Sequence, residues 1–185
     1  MKILKKLSKI FKKENYNTGF SSLNQPCFDK HGKFLGWFSR SMATAIFVFC
    51  RDKDGKLHVL ASERGKGAAD FEGYWNCPCG YLEFGMRMPE NAVAECFQET
   101  GIDVNADELE FMDFDDSPSA NHQNVTFHYR MVVKDKCIDD FTFSHKYMEE
   151  NEVGKIKWVP LNDIDKYKWA FNHDSLIKKY SPENK

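Results

Sequence analysis

Residues 80–102 read GYLEFGMRMPENAVAECFQETGI, and within them Glu95 and Glu99 stand four residues apart. Pro89 suits the first turn of a helix, Gly101 suits the left-handed position just past its end, and good helix formers lie between. At about 100° per residue, Glu95 and Glu99 share one face on adjacent turns beside Ala92 and Cys96, while Val93 and Phe97 turn toward another packed side. Two like charges at that spacing cost roughly a few tenths of a kcal/mol. A divalent cation between them removes the cost, because hard cations such as Mg²⁺ take carboxylate oxygens and complete their shell with water and substrate phosphates. A solvated helix face is the alternative.

The flanks read as strands. Upstream, MATAIFVFC (42–50) is a buried strand, RDKDGK (51–56) a turn through Asp54-Gly55, and LHVLAS (57–62) the returning hairpin strand. A glycine-rich loop, ERGKGAADFEGY (63–74), precedes WNCPCGYLE (75–83). Downstream, NVTFHYRMVV (124–133) sets Val125, Phe127, Tyr129, Met131 and Val133 on one strand face. GKIKWVPL (154–161) is a further strand and HDSLIKKY (173–180) a closing helix. Strands and helices interleave without a strict βαβ repeat, so the expected fold class is α/β (α+β), a mixed sheet between helices.

The chain has 185 residues, 42% hydrophobic and 15% aromatic, enough for one domain with a sizeable core. Its 26 basic and 28 acidic residues nearly cancel, so a general nucleic-acid binder is not expected. The lysines cluster, however. MKILKKLSKIFKK (1–13) sets Ile3, Leu4, Leu7, Ile10 and Phe11 at helical spacing opposite lysines. It is either a weak contact for an anionic membrane surface or a partner, or a helix packing on its own domain. KENYNTGFSSLNQP (13–26) reads as a linker, so residues 1–20 are assigned to helix and linker and 21–185 to a single domain. No stretch has the roughly 18 apolar residues of a membrane span, and no signal peptide is visible, so the cytoplasm is the expected location. The six cysteines are expected to be reduced, and Cys77-x-Cys79 lacks the further ligands of a zinc site. His58, His122, His128, His145 and His173 show no ligand spacing and receive no role.

The window 80–102 resembles the Nudix box, G-x5-E-x7-R-E-U-x-E-E-x-G-U with U apolar. Gly80, Glu95, Cys96, Glu99, Gly101 and Ile102 match it, whereas Met86, Ala94 and Gln98 replace a glutamate, an arginine and a glutamate. EGYWNCPCGYLE (72–83) is similar to the family's approach strand, and KIKWVPLNDI (155–164) to its later tryptophan strand and short helix. The resemblance thus spans roughly residues 43 to 180 and implies a Nudix-type α/β/α sandwich.

It also implies chemistry. In the family the box holds Mg²⁺ or Mn²⁺, here through Glu95, Glu99 and the Cys79 carbonyl. Gln98 is a weaker ligand because an amide oxygen carries no charge, and Glu152 is the choice among Glu149, Glu150 and Glu152 for a further carboxylate. The absent arginine and first glutamate brace the loop in the family, and Ala94 with Met86 suggests a re-packed brace. The implied reaction is hydrolysis of the pyrophosphate of a nucleoside diphosphate linked to another moiety, with Glu99 or Glu152 as base and Glu95 chiefly a ligand. Glu83 is a supporting carboxylate. Arg40, Arg64 and Lys66 are candidate phosphate contacts, and Tyr74, Trp37 and Phe38 candidate base-stacking rings. A small nucleotide-type substrate is expected and DNA is not. The alternative is a catalytically silent Nudix-like domain that binds a nucleotide or protein partner.

Overall fold

The computed structural model describes residues 25–117, 124–144 and 151–184, and the chain divides into two compact units, Met1–Arg40 and Ser41–Lys185. The helix expected over 1–13 and the boundary expected at residue 20 lie outside the described residues. In the first unit, β1 (Gln25–Phe28) and β2 (Phe34–Phe38) pair antiparallel. Asp29 makes the turn: its Oδ1 accepts the backbone N–H groups of His31 and Lys33 at 2.8 and 2.9 Å, and Gly32 takes a positive φ. The end of the stretch read as a linker, Gln25 and Pro26, therefore belongs to a strand.

The second unit is built on β3 (Ser41–Arg51), in which Ala43 through Cys50 are all buried. Such a run requires neighbours on both edges and cover on both faces. One edge pairs in parallel with β8 (Asn124–Cys137), which pairs antiparallel with β7 (Glu110–Asp115). The other edge pairs antiparallel with β4 (Leu57–Arg64) along its later half and with β6 (Cys79–Tyr81) along its earlier half. β4 in turn pairs with β5 (Trp75–Asn76) and, on its far side, with β9 (Val153–Pro160). The result is a mixed seven-stranded sheet.

Alternation along β3 divides the core. Ala45, Phe47 and Phe49 pack with Ile164, Ile177 and Tyr180 beneath α2 (His173–Tyr180). Ile46, Val48 and Cys50 pack with Ala92 and Cys96 of α1 (Met88–Thr100) and with Tyr129 and Met131, the strand face expected from the 124–133 pattern. The sheet lies between helices, as expected. α1 has Pro89 in its first turn, and the Glu90 carboxylate reaches back to accept the Arg87 N–H at 3.0 Å. Gly101 closes the helix at φ 74° and donates its N–H to the Phe97 carbonyl at 2.7 Å. No helix among the described residues is long and apolar enough to cross a membrane.

Candidate active site

The β3–β6 pairing places Thr44 opposite Gly80 and Ala45 opposite Cys79, laying the 79–81 backbone beside α1. Glu95 comes so close to Gly80 that a Cβ there would overlap its carboxylate. Glu99, one turn on, is held at both oxygens: the Cys79 N–H donates to Oε1 and the Ser62 hydroxyl to Oε2, each at 3.1 Å. The two glutamates of the box thus converge on one segment of backbone. Glu152, just before β9, is exposed, and its backbone carbonyl accepts the Gly65 N–H at 2.7 Å. Gln98 is exposed and joins none of these hydrogen bonds.

Burial raises the Glu99 carboxyl to about 8, with Glu95 and Glu152 adding repulsion against the lowering effect of its two hydrogen-bond donors. Glu95 rises to about 7, first through burial and then through Glu152 and Glu83. None of the ion pairs among the described residues includes Glu95, Glu99 or Glu152. Half-buried, mutually repelling carboxylates without a cationic side chain paired to them suit a hard divalent cation in donor type and charge. No three Asp, Glu, His or Cys side chains among the described residues close on one point; Mg²⁺ needs no such cage, because water and substrate phosphates complete its shell.

The brace of the 82–87 loop is a residue that the sequence did not single out. Asn91 is fully buried; its Oδ1 accepts the Glu83 N–H and its Nδ2 donates to Thr44 Oγ1, both at 2.9 Å. Met86, by contrast, is 39% exposed, so the expected Met86–Ala94 re-packing gives way to a polar tie between helix, loop and β3. Asparagine is a poor helix former, and its place inside an otherwise favourable helix was the available signal. Asn91→Ala is expected to lower unfolding free energy by about 1–3 kcal/mol, since it strands the buried Thr44 hydroxyl and releases the Glu83 N–H; urea denaturation measures this.

Beside the carboxylates lies a cavity of about 280 Å³, with Cys79, Gly80 and Glu152 among its lining residues. Arg64 also lines it, with its Nε and Nη2 donating to the Asp70 carbonyl and carboxylate at 2.9 and 2.6 Å and its Cζ 4.9 Å from the Phe171 ring centroid. Tyr74 is not among the lining residues; its ring meets Phe71 edge-on. Lys66 is exposed in the same loop, and Glu83 is exposed beside the box. Arg40, Trp37 and Phe38 belong to the first unit, and Glu149 and Glu150 lie outside the described residues.

Two histidines given no role by spacing, His128 and His173, line the cavity from β8 and the start of α2. Both are buried, and burial lowers their pKa values to about 4 and about 3, so both rings are neutral near pH 7. His128 Nδ1 lies 2.8 Å from the Tyr180 hydroxyl.

A mixed sheet between helices, with a helix-borne glutamate pair against a glycine strand, defines the class, and residues 41–180 match the NUDIX domain family. The chain belongs to that family. Among solved structures, the NUDIX domain of Shewanella oneidensis NrtR, complexed with ADP ribose, has a TM-score of 0.60 at 20% identity, covering 76% of this chain and 86% of that one. A MutT/nudix family protein from Enterococcus faecalis has a TM-score of 0.61 at 16% identity, covering 96% and 67%. A bifunctional NMN adenylyltransferase/ADP ribose pyrophosphatase from Francisella tularensis, complexed with AMP and a Mn ion, has a TM-score of 0.57 at 16% identity, covering 76% of this chain and 40% of that one. At these identities the likeness is one of fold. No curated protein matches the sequence.

Proposed function

We propose that this domain hydrolyses the diphosphate linkage between a nucleoside and another moiety, with Mg²⁺ or Mn²⁺ held by Glu95, Glu99, Glu152 and the Cys79 carbonyl. The observation that carries this reading is the pair Glu95 and Glu99, half-buried against the Cys79-Gly80 backbone without a basic partner among the described residues. When bound, such a cation neutralises diphosphate charge and acidifies an attacking water. Glu99 has both oxygens occupied by donors, which fixes its orientation and suits an anchored ligand. Glu152 is exposed at the cavity, and its carboxylate accepts no hydrogen bond among the described residues, so it is the better placed to take the proton from water. Glu95 stays a ligand, and Gln98 offers an uncharged oxygen on the solvent side. The ADP ribose and the AMP with Mn in two structures of the same fold support a nucleotide and a divalent ion.

A silent nucleotide-binding domain is the second reading, favoured by Gln98 standing exposed where the family's box carries a glutamate. NrtR has also been solved with a 27mer DNA, at 18% identity and with 59% of that chain covered; the absence of DNA as a partner here remains an expectation from sequence. A Mg²⁺-dependent release assay over ADP-ribose, nucleotide sugars, dinucleoside polyphosphates, NAD, capped RNA and nucleoside triphosphates separates hydrolase from silent domain. Turnover on one class with wild-type protein supports the hydrolase. Turnover that arises only after Gln98→Glu, Ala94→Arg and Met86→Glu are combined supports the silent domain. Gln98→Glu alone is expected to tighten Mg²⁺ binding, read by calorimetry, since it adds a charged ligand oxygen.

A further inference from the structure

The cavity beside the carboxylates is not built for a bare anion. Among the described lining residues Arg64 is the one permanent cation, and its Nε and Nη2 are already bound by Asp70. Asp70, Asp115 and Glu152 line the same space, so carboxylates outnumber the cation and a phosphate entering away from a metal meets repulsion. A flat, uncharged group does not. At about 280 Å³, the space is near the lower end for ligand pockets, roughly 300–1,000 Å³.

His173 supplies a directed polar group. It is 2% exposed, and the Cys77 backbone N–H donates to its Nδ1 at 2.9 Å. A backbone N–H can only donate, so Nδ1 is the bare nitrogen and the neutral ring carries its proton on Nε2. That N–H makes no hydrogen bond among the described residues and is not sealed from solvent, so it can donate to a group in the cavity that His173 lines. The chain delivers His173 through an unusual turn: Phe171 and Asn172 both lie at φ 57°, in the left-handed region, which residues other than glycine seldom occupy and which concentrates at ligand sites. The same turn brings the Phe171 ring to the cavity wall, under the Arg64 guanidinium at 4.9 Å.

We infer that this cavity takes the nucleobase of the substrate, with Phe171 in its wall and His173 Nε2–H donating to a ring nitrogen or carbonyl oxygen on the base edge. His173 is thus a specificity-determining residue. The inference rests on the proposed action on nucleoside diphosphates, but base binding can be measured without turnover.

Calorimetry with AMP, GMP, CMP and UMP, against ribose 5-phosphate as the base-free probe, tests it on the full chain in Mg²⁺. At least one nucleotide is expected to bind about tenfold or more tighter than ribose 5-phosphate. His173→Asn keeps an acceptor for the Cys77 N–H but has no donor at the Nε2 position, and should reduce that advantage roughly 2- to 12-fold, the range for one hydrogen bond. His173→Gln restores a donor there and should recover part of it. Equal binding of ribose 5-phosphate and all four nucleotides would overturn the inference, as would a base preference indifferent to His173→Asn. Should both variants fail to fold, the wild-type His173 ¹⁵Nε2 resonance decides: a shift with the tightest nucleotide and none with ribose 5-phosphate supports base contact, and no shift with either refutes it. Base-dependent binding without turnover on the substrate panel would end the hydrolase reading alone, whereas turnover without base-dependent binding would end this one alone.

Discussion

Glu99→Gln is expected to lower kcat/KM by roughly 100-fold or more, because it takes one negative charge from the oxygens that would hold the cation, while leaving the fold intact. The substitution suits the site because the two partners of Glu99 are different in kind. A glutamine Oε1 can accept the Cys79 N–H, and its Nε2 can donate to the Ser62 oxygen, so both contacts now at 3.1 Å survive. Only the charge is lost. Stability should move the other way in the metal-free protein. Burial lifts the Glu99 carboxyl from its usual range to about 8, so the folded state prefers the protonated acid. That preference contributes stability fully present below about pH 4.5 and lost as pH rises through about 8. In EDTA at about pH 9, Glu99→Gln should therefore have a higher urea midpoint than the wild type, and a neutral side chain should remove this part of the pH dependence. A variant with lower apo stability and unchanged turnover would mean that Glu99 serves only packing.

Gly80→Ala is expected to reduce turnover about 100-fold, because a side chain displaced by about 1 Å at a reacting site costs that order. The added methyl would occupy the space of the Glu95 carboxylate, so either Glu95 swings out of the cluster or the 79–81 strand lifts from β3. The first outcome lowers the metal response and spares the melting temperature; the second lowers both. The backbone φ of Gly80 is not positive, so strain at Gly80 itself does not confuse the test. Single-turnover hydrolysis, with melting curves in EDTA, separates the two outcomes. Gly80→Ala with unaltered turnover would show that the Glu95 position is unimportant.

Much of this was legible locally. Pro89 and Gly101 bounded α1, now Met88–Thr100, since caps are written in adjacent residues. Eight successive buried positions in β3 follow from a run rich in apolar and β-branched residues. The hairpin of β1 and β2 is hidden by the polar composition before it, because it is set by local turn chemistry, Asp29 accepting two N–H groups and Gly32 at positive φ. The site itself was half readable. Spacing puts Glu95 and Glu99 on one face, but the setting of Glu99 depends on Ser62 and Cys79, brought by β4 and β6 from far along the chain. His173 and Phe171 could not be found by spacing. Their relation to the cavity exists only once α2 packs beneath the sheet, and the Nδ1 contact of His173 spans 96 residues to Cys77. Arg64 was readable as a cation near substrate, but its engagement by Asp70 and stacking on Phe171 were not.

The central claim is that Glu95 and Glu99 are kept together to hold a divalent cation, and the melting temperature of the wild type with and without Mg²⁺ tests it most directly. A ligand that binds only the folded state adds about 2.7 kcal/mol at a hundred times its Kd, which for a domain of this size is on the order of 5–10 °C. A rise of that order is expected in the wild type with Mg²⁺ or Mn²⁺, and little or none in Glu99→Gln. A wild type that melts at one temperature in Mg²⁺, Mn²⁺ and EDTA alike would contradict it.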